Sequence, residues 1–590
     1  MLKNILRNRA VIISILGAAT IAFGLFTMRT RIDGSITKVL PEDDPVFAYN
    51  RKIEEQFGST EEVILLVSSK QSVFDKHVLT AVADITETIG SLEGARKQGA
   101  LSISTIAKTL PDLESVEFNE DMTGEEEEAV EKVLQDNPLF AGKFIGLEGK
   151  STLVSVPVSV NISYNDELLQ AFVERLENAV NGLREKYPFV SIELSGHPII
   201  QSAIMQYMSN DLLKLFPIAV GVVMLILLFA LRSFRAMLIP IMVTLISVIW
   251  TFGLKGLLDS PLTLTETVIP VILISLGCAD GIHILTEFLH YNNRDLSPIQ
   301  AVGKTMKKLS TPIILTSVTT AFGFSSLVFS SGRSLQNMGI FLAFGVLVAM
   351  GFSLLYIPII LASFTFKKKE KPKQFKKHFS QMRFLQHAAL GIMRYWPVEI
   401  VVVLAMLGLS VLGLVRTEAD TDEVSYFKKN DPVRQVTEHI EDSFGGIGTL
   451  YIVFESDREG TFQKPEVIYT LDEIQEEIGK QENVGYTMSL ADYVKMLFYT
   501  MRGRDREYYT IPQNDLFVER LMRMIASEGS EDDRMLSNFI NEDFSTACMH
   551  VRLADSNTRK LKRLLAEIEP VLEDKVPEEI NVRYAGDYIR

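Results

Sequence analysis

Residues 267–289 read TVIPVILISLGCADGIHILTEFL. The run is long enough to cross a bilayer core as a helix, which takes about 20 predominantly apolar residues. Asp280 stands close to its middle. An ionised carboxylate at that depth costs at least ~2.5 kcal/mol if it faces lipid, so Asp280 must face protein or water. His283, Glu287 and His290 follow three, seven and ten residues later, a spacing that puts all four on one helix face. The stretch therefore predicts a transmembrane helix with a polar stripe, set among other helices.

Further apolar runs lie on either side. Residues 215–231, 236–254, 311–329 and 339–366 each suffice for a crossing, and 10–28 and 396–415 bring the spans to seven. The 10–28 run follows Lys3, Arg7 and Arg9. It is too long for a signal peptide and has no clean small-residue cleavage site after it, so it reads as a retained anchor. Arg232, Arg235, Arg294, Lys304, Lys307 and Lys308 cluster in alternate connections, while the others carry Asp259 and Glu266, then Arg333 alone. Positive-inside counting places the first set, and the N-terminus, in the cytoplasm. Residues 367–394 hold nine Lys or Arg against one Glu and read as cytoplasmic, either a topology anchor or a surface for anionic lipid.

The remaining segments are polar. Strand-like runs at 62–68, 151–160 and 189–195 alternate with helical periodicity at 74–92 and 166–186. This predicts an α+β domain with ferredoxin-like, split βαβ units. The expected organisation is a first span at 1–28, a first extracytoplasmic domain at 29–211 and five spans within 212–366. A basic linker at 367–395, a seventh span at 396–415 and a second extracytoplasmic domain at 416–590 follow.

The second polar segment repeats the first. Asp33, Asp44-Pro45 and Phe57-Gly58 recur as Asp420, Asp431-Pro432 and Phe444-Gly445, all at an offset of 387 residues. The same offset carries Arg7 onto Arg394, and Leu194-Ser195-Gly196 resembles Tyr584-Ala585-Gly586 at an offset of 390. In the first copy Gly196 is followed by a short helix and five spans. The second copy stops four residues after Gly586, so the chain reads as a repeat truncated after its second outer domain, or as a natural short variant.

Composition narrows the function. A net charge of −15 argues against nucleic acid as a partner. Cys278 and Cys548, the two cysteines, match no metal or redox spacing. No Walker loop, Gly-x-Ser-x-Gly elbow or zinc spacing occurs, so neither an enzyme nor an ATP-driven pump is expected, and no cofactor is implied. Asp280 and His283 are either helix glue or functional groups; Glu287 and His290 lie nearer the membrane edge. The fifth span reads Thr316-Ser-Val-Thr319-Thr320-Ala-Phe-Gly323. Its hydroxyls either serve helix packing or line the surroundings of Asp280.

Four motifs carry a resemblance. They are Leu40-Pro-Glu-Asp-Asp44-Pro45 with Phe57-Gly58, Ser233-Phe-Arg235, Gly277-Cys-Ala-Asp280-Gly-Ile-His283, and Pro312-Ile-Ile-Leu-Thr316-Ser-Val-Thr319-Thr320-Ala-Phe-Gly323-Phe. With them the chain resembles RND-superfamily exporters of the mycobacterial-membrane-protein-large (MMPL) branch and their sterol-sensing relatives. The resemblance implies a proton-driven, multi-pass inner-membrane exporter of lipids or other amphiphiles, with a proton relay at Asp280. From the residues themselves, His283 would share that relay, and Glu287, Thr316, Thr319 and Thr320 would be relay or pore-lining residues. The resemblance also implies a counterpart acid in a tenth span, making this chain the first part of a 12-helix pump. The family often has Tyr directly after the relay acid, where this chain has Gly281. Two other readings stay open: a lipid- or sterol-sensing scaffold without transport, and an accessory subunit of an export machine. Self-association is left open as well.

Overall fold

A computed structural model describes residues 8–33, 45–363 and 394–586, apart from positions 60, 97–99, 109–112, 114–115, 136–142, 147, 164, 232, 293–295, 331, 417–421, 504, 529–535 and 556. The 40–44 motif, Arg7, Asp420 and nearly all of the basic linker at 367–395 lie outside the described residues. The described residues are mostly helical, with two small sheets among them. Among the described residues seven helices are long and apolar enough to cross a membrane. The chain divides into two compact units, one holding residues 1–31, 213–331 and 335–420, the other 32–212, 332–334 and 421–590.

The first unit is the helical bundle. Its helices lie over the expected spans: Arg9–Thr27, Phe234–Leu257, Ile269–Asn292, Pro298–Ser325 (which begins 13 residues before its apolar run), Arg333–Ser363 and Trp396–Arg416. Leu273, Ile284, Phe288, Leu342 and Ile357 form its core. Small residues set the closest approaches, as they do where helices must pack without a hydrophobic gain over lipid. A Cβ at Gly253 or Gly256 would overlap the backbone of Phe23 or Phe26. Trp250 completes that seam by donating its indole N–H to the Thr20 hydroxyl (3.0 Å) and stacking on Phe23. The helix His197–Leu231 differs from the expected short helix followed by a separate span. It runs through Pro217 without interruption and contributes to both units.

The second unit contains both polar segments. In the first, β1 (Glu62–Ser69) lies between β2 (Ser151–Pro157) and β3 (Val190–Ser195). In the second, β4 (Gly448–Ser456) lies between β6 (Thr546–Leu553) and β7 (Ile580–Gly586), with β5 (Val484–Met488) added beyond β6. All pairings are antiparallel. The central strands β1 and β4 are buried on both faces over most of their length, which is why they read as continuous apolar runs. The expected strand at 151–160 ends at Pro157, because Val160–Ser163 turns into a short helix.

The repeat extends to the helix caps. Ser102 and Ser489, related by the offset of 387, each close a capping box, with Thr105 and Asp492 as the reciprocal partners. Asn165 and Asn557 cap the long helices Asp166–Lys186 and Thr558–Lys575, each accepting from two backbone N–H groups.

The two copies also exchange helices. Ile53 and Phe57 of the Pro45–Phe57 helix belong to the first copy, yet they pack on Tyr451, Val453, Cys548 and Ala585 of the second sheet. Asn50 seals the contact, its amide donating to the Gly586 carbonyl (3.1 Å) and its carbonyl accepting from the Gly586 N–H (2.9 Å). The Pro432–Phe444 helix of the second copy packs in return on β3. There Thr437, the residue equivalent to Asn50, shares a hydrogen bond of 2.7 Å with Ser195.

Candidate functional site

The polar stripe of the fourth span survives folding as an incompletely covered surface. Gly277, Cys278 and Gly281 point inward and are buried, whereas Asp280 and Glu287 are half-buried and His283 and His290 exposed. The inward face is fixed by close packing. A Cβ at Gly281 would stand 2.6 Å from Cβ of Pro240 on the Phe234–Leu257 helix, and one at Gly277 3.0 Å from the Thr244 hydroxyl. Thr244 also lies 3.4 Å from the Cys278 sulfur. With its inner face pressed against that helix, the span turns Asp280 sideways.

Asp280 meets the fifth span there. The Ser317 hydroxyl donates to its Oδ2 at 3.3 Å. Thr316 and Thr319 sit on the exposed side of the same helix, and their hydroxyls donate back to carbonyls one turn earlier, Pro312, Ile313, Leu315 and Thr316 itself. Thr320 is half-buried. Glu287 accepts from the Lys308 ammonium at 2.9 Å, which ties the fourth span to the fifth near their ends.

Ser317 was the residue that reading for hydroxyl density passed over. It stands on the buried stripe of Ile313, Ser317 and Ala321, four residues apart, and this periodicity separates it from Thr316 and Thr319.

A second polar contact in the bundle has the opposite character. Lys255, at the end of the Phe234–Leu257 helix, and Glu266 are both fully buried and 2.9 Å apart. The ammonium also reaches the Ser260 hydroxyl (3.3 Å) and lies 4.1 Å from the centre of the Phe341 ring. The other Glu266 oxygen accepts from the Thr263 N–H and hydroxyl at 2.9 and 3.0 Å. This pair is saturated with partners, as a buried ion pair must be to persist. In the sequence Glu266 looks like a loop charge, and the signal for its pairing is a lysine eleven residues earlier at the end of an apolar run.

Among the described residues Asp280 has one hydrogen bond, from a neutral hydroxyl, and an open side. Facing lipid, a charged acid at helix centre costs ~2.5–3.5 kcal/mol. The stripe is therefore a surface for water or for further protein. Among the described residues no group of three or more His, Cys, Asp or Glu side chains is placed to hold a metal ion.

A sequence model described as the MMPL family matches residues 40–405. A relative from Methanocaldococcus jannaschii, named only as a membrane protein, is 23% identical over 382 residues, covering 61% of this chain and 94% of its own length.

Proposed function

The chain belongs to the MMPL family, and from that premise we propose that it is a proton-driven exporter of lipids or other amphiphiles in the inner, cytoplasmic membrane. The observation that carries this reading is the contrast between two polar sites in one bundle. Lys255 and Glu266 are sealed by partners and fully buried. Among the described residues Asp280 is held by the Ser317 hydroxyl alone and left open on a stripe with His283. Helix glue calls for the first arrangement, a proton carrier for the second.

In this reading protons reach Asp280 along the exposed stripe, with His283 as its neighbour and Ser317 holding the carboxyl in place. The tyrosine that often follows the acid in the family has no room here, because Pro240 occupies that side. The N-terminus and the linker at 367–395 are cytoplasmic and both polar segments extracytoplasmic, supported by the distribution of basic residues. The order β5-β6-β4-β7, with all neighbours antiparallel, supports a split βαβ, ferredoxin-like description of the second outer segment. The open stripe also suits contact with a second helical set, as in a 12-helix pump.

The test is Asp280→Asn, which keeps volume and hydrogen bonding but cannot ionise. Energised cells expressing the wild-type protein should extrude the fluorescent amphiphile N-phenyl-1-naphthylamine. The variant should insert normally and extrude none above background. Wild-type rates in the variant would reduce Asp280 to a packing residue and favour the lipid-sensing scaffold.

A further inference from the structure

The two copies of the outer segment meet around a cavity of about 140 Å³. Equivalent positions of both copies line it. On one side are Glu62, Ser155 and Pro157 of β1 and β2, and on the other Thr449, His550 and Arg552 of β4 and β6. The strand registers agree: Glu62 stands opposite Pro157 as Thr449 stands opposite Arg552. Only the side-chain chemistry has diverged.

Its charges can be counted. The Arg552 guanidinium donates to Glu62 Oε2 (3.2 Å), the Ile447 carbonyl (2.9 Å), the Thr449 hydroxyl (3.1 Å) and the Tyr486 hydroxyl (3.3 Å). Ser155 donates to the same Glu62 oxygen at 2.8 Å. That pair is neutral as a unit. Burial holds the His550 pKa down at about 4, so the ring is uncharged at pH 7, and its Nε2–H donates to the Asn538 carbonyl at 2.9 Å. Lys143 lies 5.2 Å from the centre of the Tyr486 ring, and burial lowers its pKa.

Arg96 is left over. Its side chain lines the cavity beside Gly58, where φ is +107° and a Cβ would overlap Nη1. Among the described residues the Arg96 guanidinium has no hydrogen-bond or ion-pair partner. It stands where the two copies differ. In the second copy β5 closes the sheet edge, with Met488 opposite His550. In the first, among the described residues, the isolated bridges Ala95–Val158, Leu101–Ser155 and Ile145–Thr152 line that edge, and Arg96 lies between the first two.

We propose that this cavity binds an organic anion, a carboxylate or phosphate monoester whose oxygens pair with Arg96 and whose apolar part lies against Phe57, Tyr451 and Phe539. A guanidinium presents a fork of donors that matches carboxylate and phosphate oxygens. An apolar cavity of about 150 Å³ accepts a benzene-sized group, so the volume here suits a headgroup or a single ring. This goes beyond the exporter reading, concerns binding alone, and stands whether or not the bound anion is carried across the membrane.

Titration calorimetry on the full-length chain in neutral detergent tests it. Benzyl phosphate and benzoate should bind, and benzyl alcohol and inorganic phosphate should bind at least tenfold more weakly. Arg96→Gln should weaken benzyl phosphate binding tenfold or more at an unchanged unfolding temperature. Ser537→Asp, which adds a carboxylate to the cavity wall, should do the same and serves if the first variant fails to fold. Dodecyl phosphate separates two sources of such an anion. A lipid headgroup site gains at least tenfold over benzyl phosphate and a metabolite site gains nothing, and either result supports the site. Benzyl alcohol binding as tightly as benzyl phosphate overturns the proposal, as does undiminished benzyl phosphate binding in the folded variants.

Discussion

The first copy lines its sheet edge with isolated bridges at Ala95, Leu101 and Ile145, while the second carries a full strand, β5, at the same place. Elsewhere their frameworks agree. The central strand, its two neighbours, the serine capping boxes and the asparagine caps all recur. Duplication has kept the positions that backbone geometry demands and released those that only meet the partner copy. Gly196 and Gly586 illustrate the first kind, both in the left-handed region at φ +101° and +125°. Glu62 against Thr449, and Pro157 against Arg552, illustrate the second. An acid on one copy and a base on the other now form an ion pair between them.

The largest expected effect tests the shared backbone. A Cβ at Gly196 would overlap the Glu62 carbonyl, and one at Gly586 would approach the Thr449 carbonyl. Gly196→Ala should cost about 3 kcal/mol or more, combining left-handed strain with a backbone clash. Gly586→Ala should cost somewhat less. Denaturant unfolding of the purified chain measures both, and a Gly196→Ala protein as stable as the wild type would break the equivalence.

Next comes a titration that only the second copy can show, since Ser155 stands where it has His550. With a folded-state pKa of about 4 against 6.5, His550 binds fewer protons folded than unfolded between those values. Its contribution is therefore fully present above pH 6.5 and lost as the pH falls to about 4, by at most about 3 kcal/mol at 1.36 kcal/mol per pKa unit. Unfolding curves across that window should be steeper in pH for the wild type than for His550→Asn. Parallel curves would mean the ring is not held neutral.

The smallest effects sharpen the exchange of helices. Asn50 makes two buried hydrogen bonds to the Gly586 backbone, whereas Thr437 shares one with Ser195. Asn50→Ala should cost about 2 kcal/mol and Thr437→Val about 1 kcal/mol, because the first strands two backbone groups and the second one hydroxyl. A reversed order in thermal unfolding would show that the second helix is the tighter of the two.

Much of this was legible in the sequence. Each of the seven apolar runs falls on one of seven described helices, although His197–Leu231 and Pro298–Ser325 begin well before their runs, because length and hydropathy are local properties that a bilayer reads directly. The repeat was legible because Asp-Pro and Phe-Gly mark a helix start and a helix end at a constant offset. What stayed hidden depends on distant partners. Nothing near Asn50 announces that its sheet begins almost 400 residues later. Ser317 and Thr316 are neighbours in sequence and differ only in which way the helix turns them. Arg96 reads as an ordinary loop cation until the fold encloses it and gives Arg552 to Glu62 instead.

The exchanged helix sets a schedule for synthesis. Asn50 and Gly586 are 536 residues apart, and ribosomes add about 5–20 residues per second. The apolar face bearing Ile53 and Phe57 therefore waits roughly half a minute to two minutes for the sheet it covers. During that wait the first copy has β1, β2 and β3 but a helix with no permanent seat, while the returning helix at 432–444 can dock on β3 as soon as it emerges. The order of assembly runs against the order of the chain: the second copy's helix settles first, and the first copy's helix closes the structure last. A nascent chain paused between the seventh span and β7 would expose that face to chaperones and proteases.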